Sequence, residues 1–236
     1  MAAAPRRGIV RWLPWVVVAL AAAVVLPQLW FAAHIWWWRD HQVGETTFMA
    51  WRMDELHVKN PKAQRRYTWV AYDRISGNLK RAMVAAEDAK FIDHEGFDWD
   101  GIALALEKNQ KKGRVVAGGS TITQQLAKNL FLSPSRSYLR KAEEAVITVM
   151  LEAMLPKRRI LEIYLNVIEW GSGVFGAEEA SRHYFGATAA QLSAEQAARL
   201  AAMAPNPRFY ERNPGAPGLN RKIDVILARM PGAEIP

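Results

Sequence analysis

The sequence predicts a mainly α-helical protein with one N-terminal transmembrane helix, and three observations support this fold class. Apolar residues recur at helical spacing through most of the chain after residue 77. No charged residue lies between Arg11 and Arg39, a stretch long enough to cross a hydrocarbon core of about 30 Å. The composition, 50% hydrophobic and 23% charged, is that of a packed protein rather than a disordered one.

The N-terminal part divides into a basic N-terminus, residues 1–11, and an apolar helix, residues 12–38, with tryptophans at both ends as in membrane-interface belts. Arg6, Arg7 and Arg11 place the N-terminus in the cytoplasm by the positive-inside rule, so the rest of the chain lies outside. A cleaved signal peptide is the alternative, but the apolar run exceeds a usual h-region and no A-x-A site follows it. The sequence therefore favours an uncleaved transmembrane signal anchor.

Residues 39–76 form a predicted connector with short strand or loop pieces, and residues 77–236 form one predicted helical domain. The apolar pattern predicts helices over 78–91, 101–112, 121–132, 137–155, 158–168, 176–185, 193–203 and 219–230. Capping-box patterns mark two helix starts, at Thr121 with Gln124 and at Ser193 with Gln196. Prolines after residue 204 break the chain before the final helix.

The charge balance indicates an anionic partner, because the formal net charge is +8 and the pI is about 9.8. Nucleic acid, anionic lipid headgroups and pyrophosphate all fit this charge. A domain anchored outside the cell membrane makes nucleic acid the least expected of the three. The absence of cysteine excludes disulfides, a thiolate nucleophile and cysteine-ligated metals.

Residues 87–100, EDAKFIDHEGFDWD, are acidic in an otherwise basic chain, because they contain six carboxylates. They form either a solvated acidic face or a site in which one carboxylate does chemistry. A zinc protease is excluded, because the H-E-x-x-H pattern that starts at His94 has Asp98 where the second histidine is needed. A penicillin-binding serine site is also excluded, because S-x-x-K and K-T-G are both missing.

Two further stretches carry polar groups on helices. In GGSTITQQLAKNLFL a glycine pair precedes a helix whose N-terminus suits an anion, with Thr121 and Lys128 on one face. A glycine hinge with a polar helix face explains that stretch equally well. In RKAEE, Arg140 and Glu144 stand four residues apart, a spacing that is most often an exposed ion pair.

Taken together, these stretches and KRRILEIYLNVIEWGSGVFGAEEASRHYFG occur in an order and spacing that resemble family 51 glycosyltransferases. These enzymes polymerise peptidoglycan glycan strands, alone or as the glycosyltransferase domain of class A penicillin-binding proteins. The resemblance covers residues 78–207. The segment NVIEWGSGVFGAE, and a chain that stops without a transpeptidase domain, are similar to the monofunctional biosynthetic members.

The resemblance implies a lysozyme-like helical fold with a small mobile lobe near the membrane. It also implies polymerisation of lipid II, a disaccharide-pentapeptide on a polyprenyl pyrophosphate, with inversion at the donor sugar. The expected partners are lipid II, the growing glycan strand, membrane lipid, and other proteins of cell-wall synthesis and division. The expected location is the inner membrane, with the catalytic domain in the periplasm.

The family's catalytic pair matches Glu87 and Glu144. By resemblance Glu87 is the general base on the acceptor 4-hydroxyl, and an ordinary glutamate, with a pKa near 4.3, is ionised at neutral pH. Glu144 orients cations or helps to hold a divalent metal, Mg or Mn, and no organic cofactor is expected. The substrate-binding residues implied are Asp88, Thr121, Gln125, Lys128, Arg140, Lys141 and Lys157.

The other polar residues of the motifs have structural roles as their simplest explanation. Asp98 and the neighbouring acids fit helix capping, and His94 fits a buried hydrogen bond. Phe91, Phe97 and Trp99 fit a core or a cleft wall. Glu162 and Asn166 fit a helix-packing network as well as they fit a substrate contact.

Two other functions compete with polymerisation. A lytic or hydrolytic enzyme that cuts existing peptidoglycan is one, since lysozyme-like folds host both reactions. The basic residues Lys128, Arg140 and Lys141 count against it, because a pyrophosphate donor requires them and a hydrolase does not. A non-catalytic membrane scaffold ranks last.

Overall fold

The computed structural model describes residues 12–114, 118–135 and 137–236. Within these ranges the chain is mainly helical, as the sequence predicts. The helices are α1 (Leu13–Trp37), α2 (Thr47–Lys59), α3 (Gly77–Glu87), α4 (Trp99–Lys112), α5 (Ile122–Phe131), α6 (Tyr138–Met154), α7 (Lys157–Val167), α8 (Ala177–Phe185), α9 (Ala194–Met203), α10 (Pro207–Arg212) and α11 (Leu219–Arg229).

One small sheet accompanies the helices. Its strands are β1 (Arg66–Tyr67), β2 (Glu169–Gly171) and β3 (Val174–Phe175), in the order β1-β3-β2. Strand β1 is parallel to β3, and β2 is antiparallel to it. Gly176 ends the sheet with φ of +82°, and a Cβ there would lie 2.6 Å from the Asn166 carbonyl oxygen, so only glycine fits.

The core forms where two groups of helices bury their apolar faces. Helix α3 packs on α9 and α11, while α5 packs on α6 and α7. The largest fully buried side chains include Trp170, Tyr164, Phe91 and Phe175. Both predicted capping boxes are confirmed, at the starts of α5 and α9.

The structure differs from the sequence prediction at the end of α3, which stops at Glu87 rather than at residue 91, and in two short helices. Helix α2 lies inside the stretch 39–76 that was predicted to be a non-helical connector, and it buries only Met49 and Met53. Helix α10 lies in the proline-rich stretch and buries only Tyr210. Helices with so few buried residues leave little apolar periodicity in the sequence, which is why the pattern did not reveal them.

A charged contact attaches these two helices to the sheet. Glu169 of β2 is buried and lies 2.9 Å from Nε of Arg52 on α2 and 3.2 Å from Nε of Arg208 on α10. Glu55 of α2 pairs with both arginines as well. Burial raises the pKa of Glu169, and the two arginines oppose that rise. A buried carboxylate thus fixes α2 and α10 to the sheet.

Helix α1 has the length and apolar composition to cross a membrane. The stretch Pro14–Trp37 has 24 residues and a mean hydropathy of 2.2. Only the last turns of the anchor are buried against the domain, through Phe31, Ile35 and Trp38. The arginines on which the predicted orientation depends lie in residues 1–11, outside the described residues.

Candidate active site

Glu87, the last residue of α3, is held by a hydrogen-bonded chain. Its carboxylate accepts a hydrogen bond of 2.7 Å from Nε2 of Gln125 on α5. Oε1 of Gln125 in turn accepts a hydrogen bond of 2.9 Å from the hydroxyl of Tyr164 on α7. Because the tyrosine hydroxyl faces the amide oxygen, the amide NH₂ is directed at Glu87. Three helices therefore fix the orientation of one carboxylate.

The surroundings of Glu87 change its proton affinity. Burial raises the pKa of Glu87 above its ordinary value, and the neighbouring Asp88 raises it slightly further. The Gln125 hydrogen bond and the charges of Lys128 and Lys222 act in the opposite direction. The ordinary pKa expected of Glu87 from the sequence is therefore wrong: burial makes its carboxylate a stronger base.

Asp88 and Thr121, both predicted to bind substrate, are buried and engaged inside the protein. The Asp88 carboxylate lies 2.9 Å from Nε2 of His94 and accepts a hydrogen bond of 3.0 Å from the Ile122 amide at the start of α5. Thr121 caps α5 and donates a hydrogen bond of 2.7 Å to the Gly96 carbonyl. The hydrogen-bonding role predicted for His94 is confirmed. In the structure these groups position α5 against the end of α3.

Glu144 lies at the centre of a cluster of cations. It is buried on α6, with Nη1 of Arg140 at 3.0 Å and Nζ of Lys141 in contact with its other oxygen. Lys128 of α5 faces the same cluster: burial, Arg140 and Lys141 lower its pKa, while Glu144 and Glu87 raise it. The charges of both predicted catalytic glutamates therefore act on the ammonium of Lys128. The structure thus brings Lys128 close to both glutamates and places Arg140 and Lys141 on Glu144; their contact with substrate stays a prediction.

Lys157 is paired elsewhere. Its ammonium lies 2.8 Å from Glu152 and 4.7 Å from the centre of the Phe91 ring. Glu152 also accepts a hydrogen bond of 2.6 Å from Thr123, which is fully buried in α5. The structure thus does not place Lys157 in the Glu144 cluster, and its contact with a donor substrate stays a prediction.

Two further motif residues form a packing network. Asn166 accepts a hydrogen bond from the Val70 amide and donates one to the Val70 carbonyl, each 2.9 Å long. Glu162 accepts a hydrogen bond of 3.0 Å from the Tyr72 amide and pairs with Arg159. These contacts fix the segment before α3 onto α7, so the packing explanation is the one that the structure favours.

Among the other residues of the acidic stretch, Asp98 caps α4 through the Gly101 amide at 3.0 Å, as predicted. Phe91 is in the core, also as predicted. Trp99 was expected in the core or the cleft wall, but it is 70% exposed. It stands in the first turn of α4, where its ring stacks on Phe97 rather than on the core.

Two cavities border Glu87, and a third lies beside Gln125. A cavity of about 310 Å³ lies between α3, α9 and α11, and one of about 160 Å³ lies between Glu87 and the glycines before α5. A third, of about 380 Å³, is lined by Gln125, Lys128 and Tyr164. Helix α11 lines the first cavity with cations to which sequence reasoning gave no role. Three cations on a final helix are usually a solvated face, so the sequence contained no signal for them.

The described residues do not fit a divalent metal site. They contain no group of three aspartate, glutamate, histidine or cysteine side chains placed to hold one ion. Both oxygens of Glu144 face cations, and Asp88 is engaged by His94 and Ile122. The predicted metal therefore stays a prediction.

The fold and the site define an enzyme-type helical domain: a fixed, partly buried carboxylate stands beside a cluster of cations. Such an arrangement can take a proton from a nucleophile while it neutralises an anionic leaving group. Comparison with known sequences agrees with this class. The sequence model of the transglycosylase family matches residues 54–231, so the chain belongs to that family.

Relatives similar over nearly their whole length carry one description. The chain is 62% identical over 226 residues to the biosynthetic peptidoglycan transglycosylase of Dechloromonas aromatica, covering 96% of this chain and 98% of that protein. It is 60% identical to the protein of the same description from Chromobacterium violaceum, over 94% of this chain and 97% of that one. The Azoarcus protein of that description is also 60% identical, over 96% and 97%. The resemblance found in the motifs is thereby confirmed.

Proposed function

We propose that this chain is a peptidoglycan glycosyltransferase of cell-wall synthesis that polymerises lipid II into glycan strands and releases polyprenyl pyrophosphate. The observation that carries the proposal is the position of Glu87, which is fixed by Gln125 and linked through Lys128 to the cations around Glu144. The family and the biosynthetic description of its relatives support synthesis rather than cleavage of glycan.

Glu87 acts as the general base in the proposed reaction. Its carboxylate takes the proton of the 4-hydroxyl of the acceptor sugar, and the resulting oxygen attacks the anomeric carbon of the donor from the face opposite the pyrophosphate. One glycosidic bond forms, the bond to the pyrophosphate oxygen breaks, and the configuration at the donor carbon inverts. The raised proton affinity of Glu87 helps this step because a stronger base removes the proton more completely in the transition state.

Lys128, Arg140 and Lys141 stabilise the leaving group. A pyrophosphate leaves as an anion, so fixed positive charge lowers the barrier more than a protonating acid would. Glu144 keeps two of these cations oriented through direct ion pairs. A hydrolase that cuts glycan between two sugars would instead need a carboxylic acid near the leaving oxygen. Cations in this position therefore favour transfer from a pyrophosphate donor over the lytic alternative.

The membrane is the proposed location, with the domain on the outer side of the inner membrane. An apolar helix of spanning length supports an anchor, and a substrate embedded in lipid favours an anchored enzyme. Tyr138 and Leu139, 98% and 80% exposed at the start of α6, offer an apolar contact for lipid near that anchor. The proposed reaction is glycosyl transfer, and residues 1–236 contain neither the S-x-x-K nor the K-T-G motif of a penicillin-binding serine site.

The test uses the full-length protein in detergent with fluorescent lipid II, with Mg²⁺ or with a chelator, and resolves the products by size. We expect a ladder of glycan from the wild type and from Glu107→Gln, a control at an exposed glutamate of α4. Glu87→Gln should lose about a hundredfold to ten-thousandfold in rate, the range that a general base typically contributes. Loss of the ladder on chelation would show that a metal is needed.

The Glu87→Gln protein should stay folded. Because the pKa of Glu87 is raised in the folded state, the folded protein binds this proton more tightly than the unfolded chain does. The stability linked to Glu87 is therefore greatest below pH 4.5 and falls as the pH rises through the folded pKa. At neutral pH the neutral glutamine should be no less stable, which thermal unfolding can check.

Other outcomes would point to the other functions. Release of soluble fragments from purified sacculi, with lipid II left intact, would establish a lytic enzyme. Glu87→Gln and Glu144→Gln proteins that both retain full cellular function would favour the scaffold. An unchanged ladder from Glu87→Gln would remove Glu87 from the role of base.

A further inference from the structure

A polar cavity with two arginines and a tryptophan lies between the segment before α3, helix α8 and the turn that follows α8. Its volume is about 310 Å³, and its lining includes Trp69, Arg74, Glu178 and Arg182. None of its lining residues lines the two cavities that border Glu87 or the one beside Gln125. The function proposed above leaves this cavity without a role.

Helix α7 separates this cavity from the catalytic carboxylate. Tyr164 and Asn166 stand two residues apart on α7, a spacing that places their side chains on opposite sides of a helix. Tyr164 donates its hydroxyl hydrogen to Gln125, which holds Glu87. Asn166 instead binds both backbone groups of Val70, which lines the cavity. A ligand in the cavity would therefore bind apart from the reacting sugars.

The two arginines of the cavity retain hydrogen-bond donors for an anion. Arg74 is exposed, and the described part of the chain places no carboxylate within ion-pair distance of it, since the adjacent Asp73 pairs with Arg158. Nε and Nη2 of Arg182 lie 3.0 and 2.8 Å from one oxygen of the buried Glu178. That ion pair leaves Nη1 of Arg182 for another acceptor. One carboxylate for two arginines gives the cavity a net positive charge.

The walls of the cavity are fixed before a ligand arrives. The other oxygen of Glu178 accepts a hydrogen bond of 2.8 Å from the Ala189 amide, so the partner of Arg182 is itself held. The guanidinium of Arg159 lies 5.1 Å from the centre of the Trp69 ring and stabilises it from one side. Binding in such a cavity costs little conformational entropy.

The lining selects the chemical class of the ligand. Arginine pairs best with planar carboxylates and with phosphates, and a tryptophan ring offers a flat apolar surface to a ring of the ligand. Apart from Trp69, the apolar lining consists of Val70, Ala71 and Ala190, which is too little to cover an acyl chain. A volume of about 310 Å³ is at the lower end for a ligand site, which has about 300–1,000 Å³. One sugar ring with an acidic group fits these limits.

We propose that this cavity binds an N-acetylmuramic acid unit of lipid-free peptidoglycan, with the sugar ring on Trp69 and a carboxylate between Arg74 and Arg182. The choice of sugar rests on the proposed function, because an enzyme that makes glycan works beside finished glycan. The carboxylate belongs either to the lactyl group of a peptide-free unit or to an attached peptide. In both cases the site holds the enzyme on existing glycan while the catalytic site stays open.

The experiment measures dissociation constants of small sugars by ligand-observed NMR, with the full-length protein in detergent. The probes are N-acetylmuramic acid, N-acetylmuramyl dipeptide and N-acetylglucosamine, which has the same ring without the lactyl carboxylate. The wild type should bind at least one of the two acids about tenfold or more tightly than N-acetylglucosamine, as charge-assisted hydrogen bonds would give. Tighter binding of N-acetylmuramic acid assigns the site to peptide-free glycan, and tighter binding of the dipeptide assigns it to peptide-bearing glycan.

Two variants test the arginines. Arg74→Glu should weaken binding of the acids by about tenfold or more and leave the rate of lipid II polymerisation unchanged. Arg182→Lys should also weaken it, because lysine keeps a cation on Glu178 but lacks the free guanidinium nitrogen. Alanine at position 182 is avoided, since it would leave a buried carboxylate unpaired. Arg81→Glu, the same charge change at an exposed arginine of α3 that lines a different cavity, is the control and should bind like the wild type.

Several outcomes would overturn the inference. They are a wild type that binds neither acid, equal affinity for N-acetylglucosamine, and equal losses in Arg74→Glu and Arg81→Glu. Binding that is lost in Lys128→Ala but kept in Arg74→Glu would place the sugar in the catalytic site. A raised KM for lipid II in Arg74→Glu would assign the cavity to the lipid-linked substrate instead.

Two further results separate this inference from its alternatives. Binding of short-chain phosphatidylglycerol but of neither acid, with the same dependence on Arg74, would identify a lipid-headgroup site and overturn the inference. A wild type that binds the acids through Arg74 but makes no glycan from lipid II would contradict the proposed function alone. The sugar site would then belong to a protein that binds peptidoglycan without polymerising it.

Discussion

Two opposing effects set the chemistry of Glu87. Burial raises the pKa of its carboxyl, while the hydrogen bond from Gln125 and the charge of Lys128 hold it down. A base must be ionised at the working pH and yet bind a proton strongly in the transition state. The hydrogen bond from Gln125 is the first of the effects that lower the pKa of Glu87, and the Tyr164 hydroxyl holds the Gln125 amide in the orientation that makes this bond.

Replacing Gln125 tests this balance. In Gln125→Leu the pKa of Glu87 should rise, so Glu87 becomes protonated at higher pH and the acid limb of kcat/KM moves towards neutral pH. At pH values above that limb, the rate of Gln125→Leu should lie closer to the wild-type rate, because the Glu87 carboxylate is then ionised in both proteins. The pH profile of lipid II polymerisation measures the shift. Gln110→Leu, at an exposed glutamine of α4, is the control, and an unshifted limb in Gln125→Leu would contradict the role assigned to the hydrogen bond.

The sequence predicted part of this residue-level arrangement. Glu87 and Gln125 were found because both stand in long motifs with a family resemblance. Tyr164 was not found, because a tyrosine in an apolar helical pattern has the same signature as a core residue. Its hydroxyl matters only through a contact between α7 and α5, residues 39 apart in sequence, and no spacing rule reports such a contact.

At the scale of elements, α5 organises the site. Its N-terminus is held by the capping box of Thr121 and by the Asp88 carboxylate, which accepts the Ile122 amide. One turn further on, Gln125 and Lys128 stand three residues apart and face the two glutamates. The polar contacts at the N-terminus of α5 thus fix where Gln125 and Lys128 lie relative to the two glutamates.

Replacing Asp88 tests that organisation. Asp88→Asn keeps the shape but places an NH₂ donor against either the Ile122 amide or His94, so one buried hydrogen bond is lost. We expect the free energy of unfolding to fall by about 1–3 kcal/mol. Thermal or denaturant unfolding measures this, with Asp93→Asn at an exposed site as the control. If Asp88 only contacted substrate, Asp88→Asn would instead raise KM and leave the free energy of unfolding unchanged.

The helices themselves were predicted where a long apolar face is buried and missed where it is not. Helix α5 buries most of its residues and both of its ends were predicted to within one residue. Helix α3 ends at Glu87 rather than continuing to Phe91, because Asp88 turns away to hold α5. Helices α2 and α10 depend on the buried charge of Glu169, a tertiary contact without a local pattern.

At the scale of the whole molecule, the anchor and the domain form one packed unit. The last turns of α1 surround Phe131 at the end of α5: the Phe131 ring lies 4.9 Å from that of Phe31 and 5.3 Å from that of Trp38. Since α5 also carries Gln125 and Lys128, the helix that positions the site is the one that the anchor touches. If α1 spans the membrane as predicted, we expect this contact to help set the height of the site above the bilayer.

A double-mutant cycle tests this coupling. Phe31→Ala and Phe131→Ala should each destabilise the full-length protein in detergent, by about 3–5 kcal/mol where the ring is fully packed. Because the rings touch, the two effects should fall short of additivity by about 0.5–1.5 kcal/mol. Trp15→Ala, at a 69% exposed position of α1, should be additive with Phe131→Ala. Additivity in both pairs would show that the anchor is a tether rather than a part of the fold, and that lipid alone sets the height of the site.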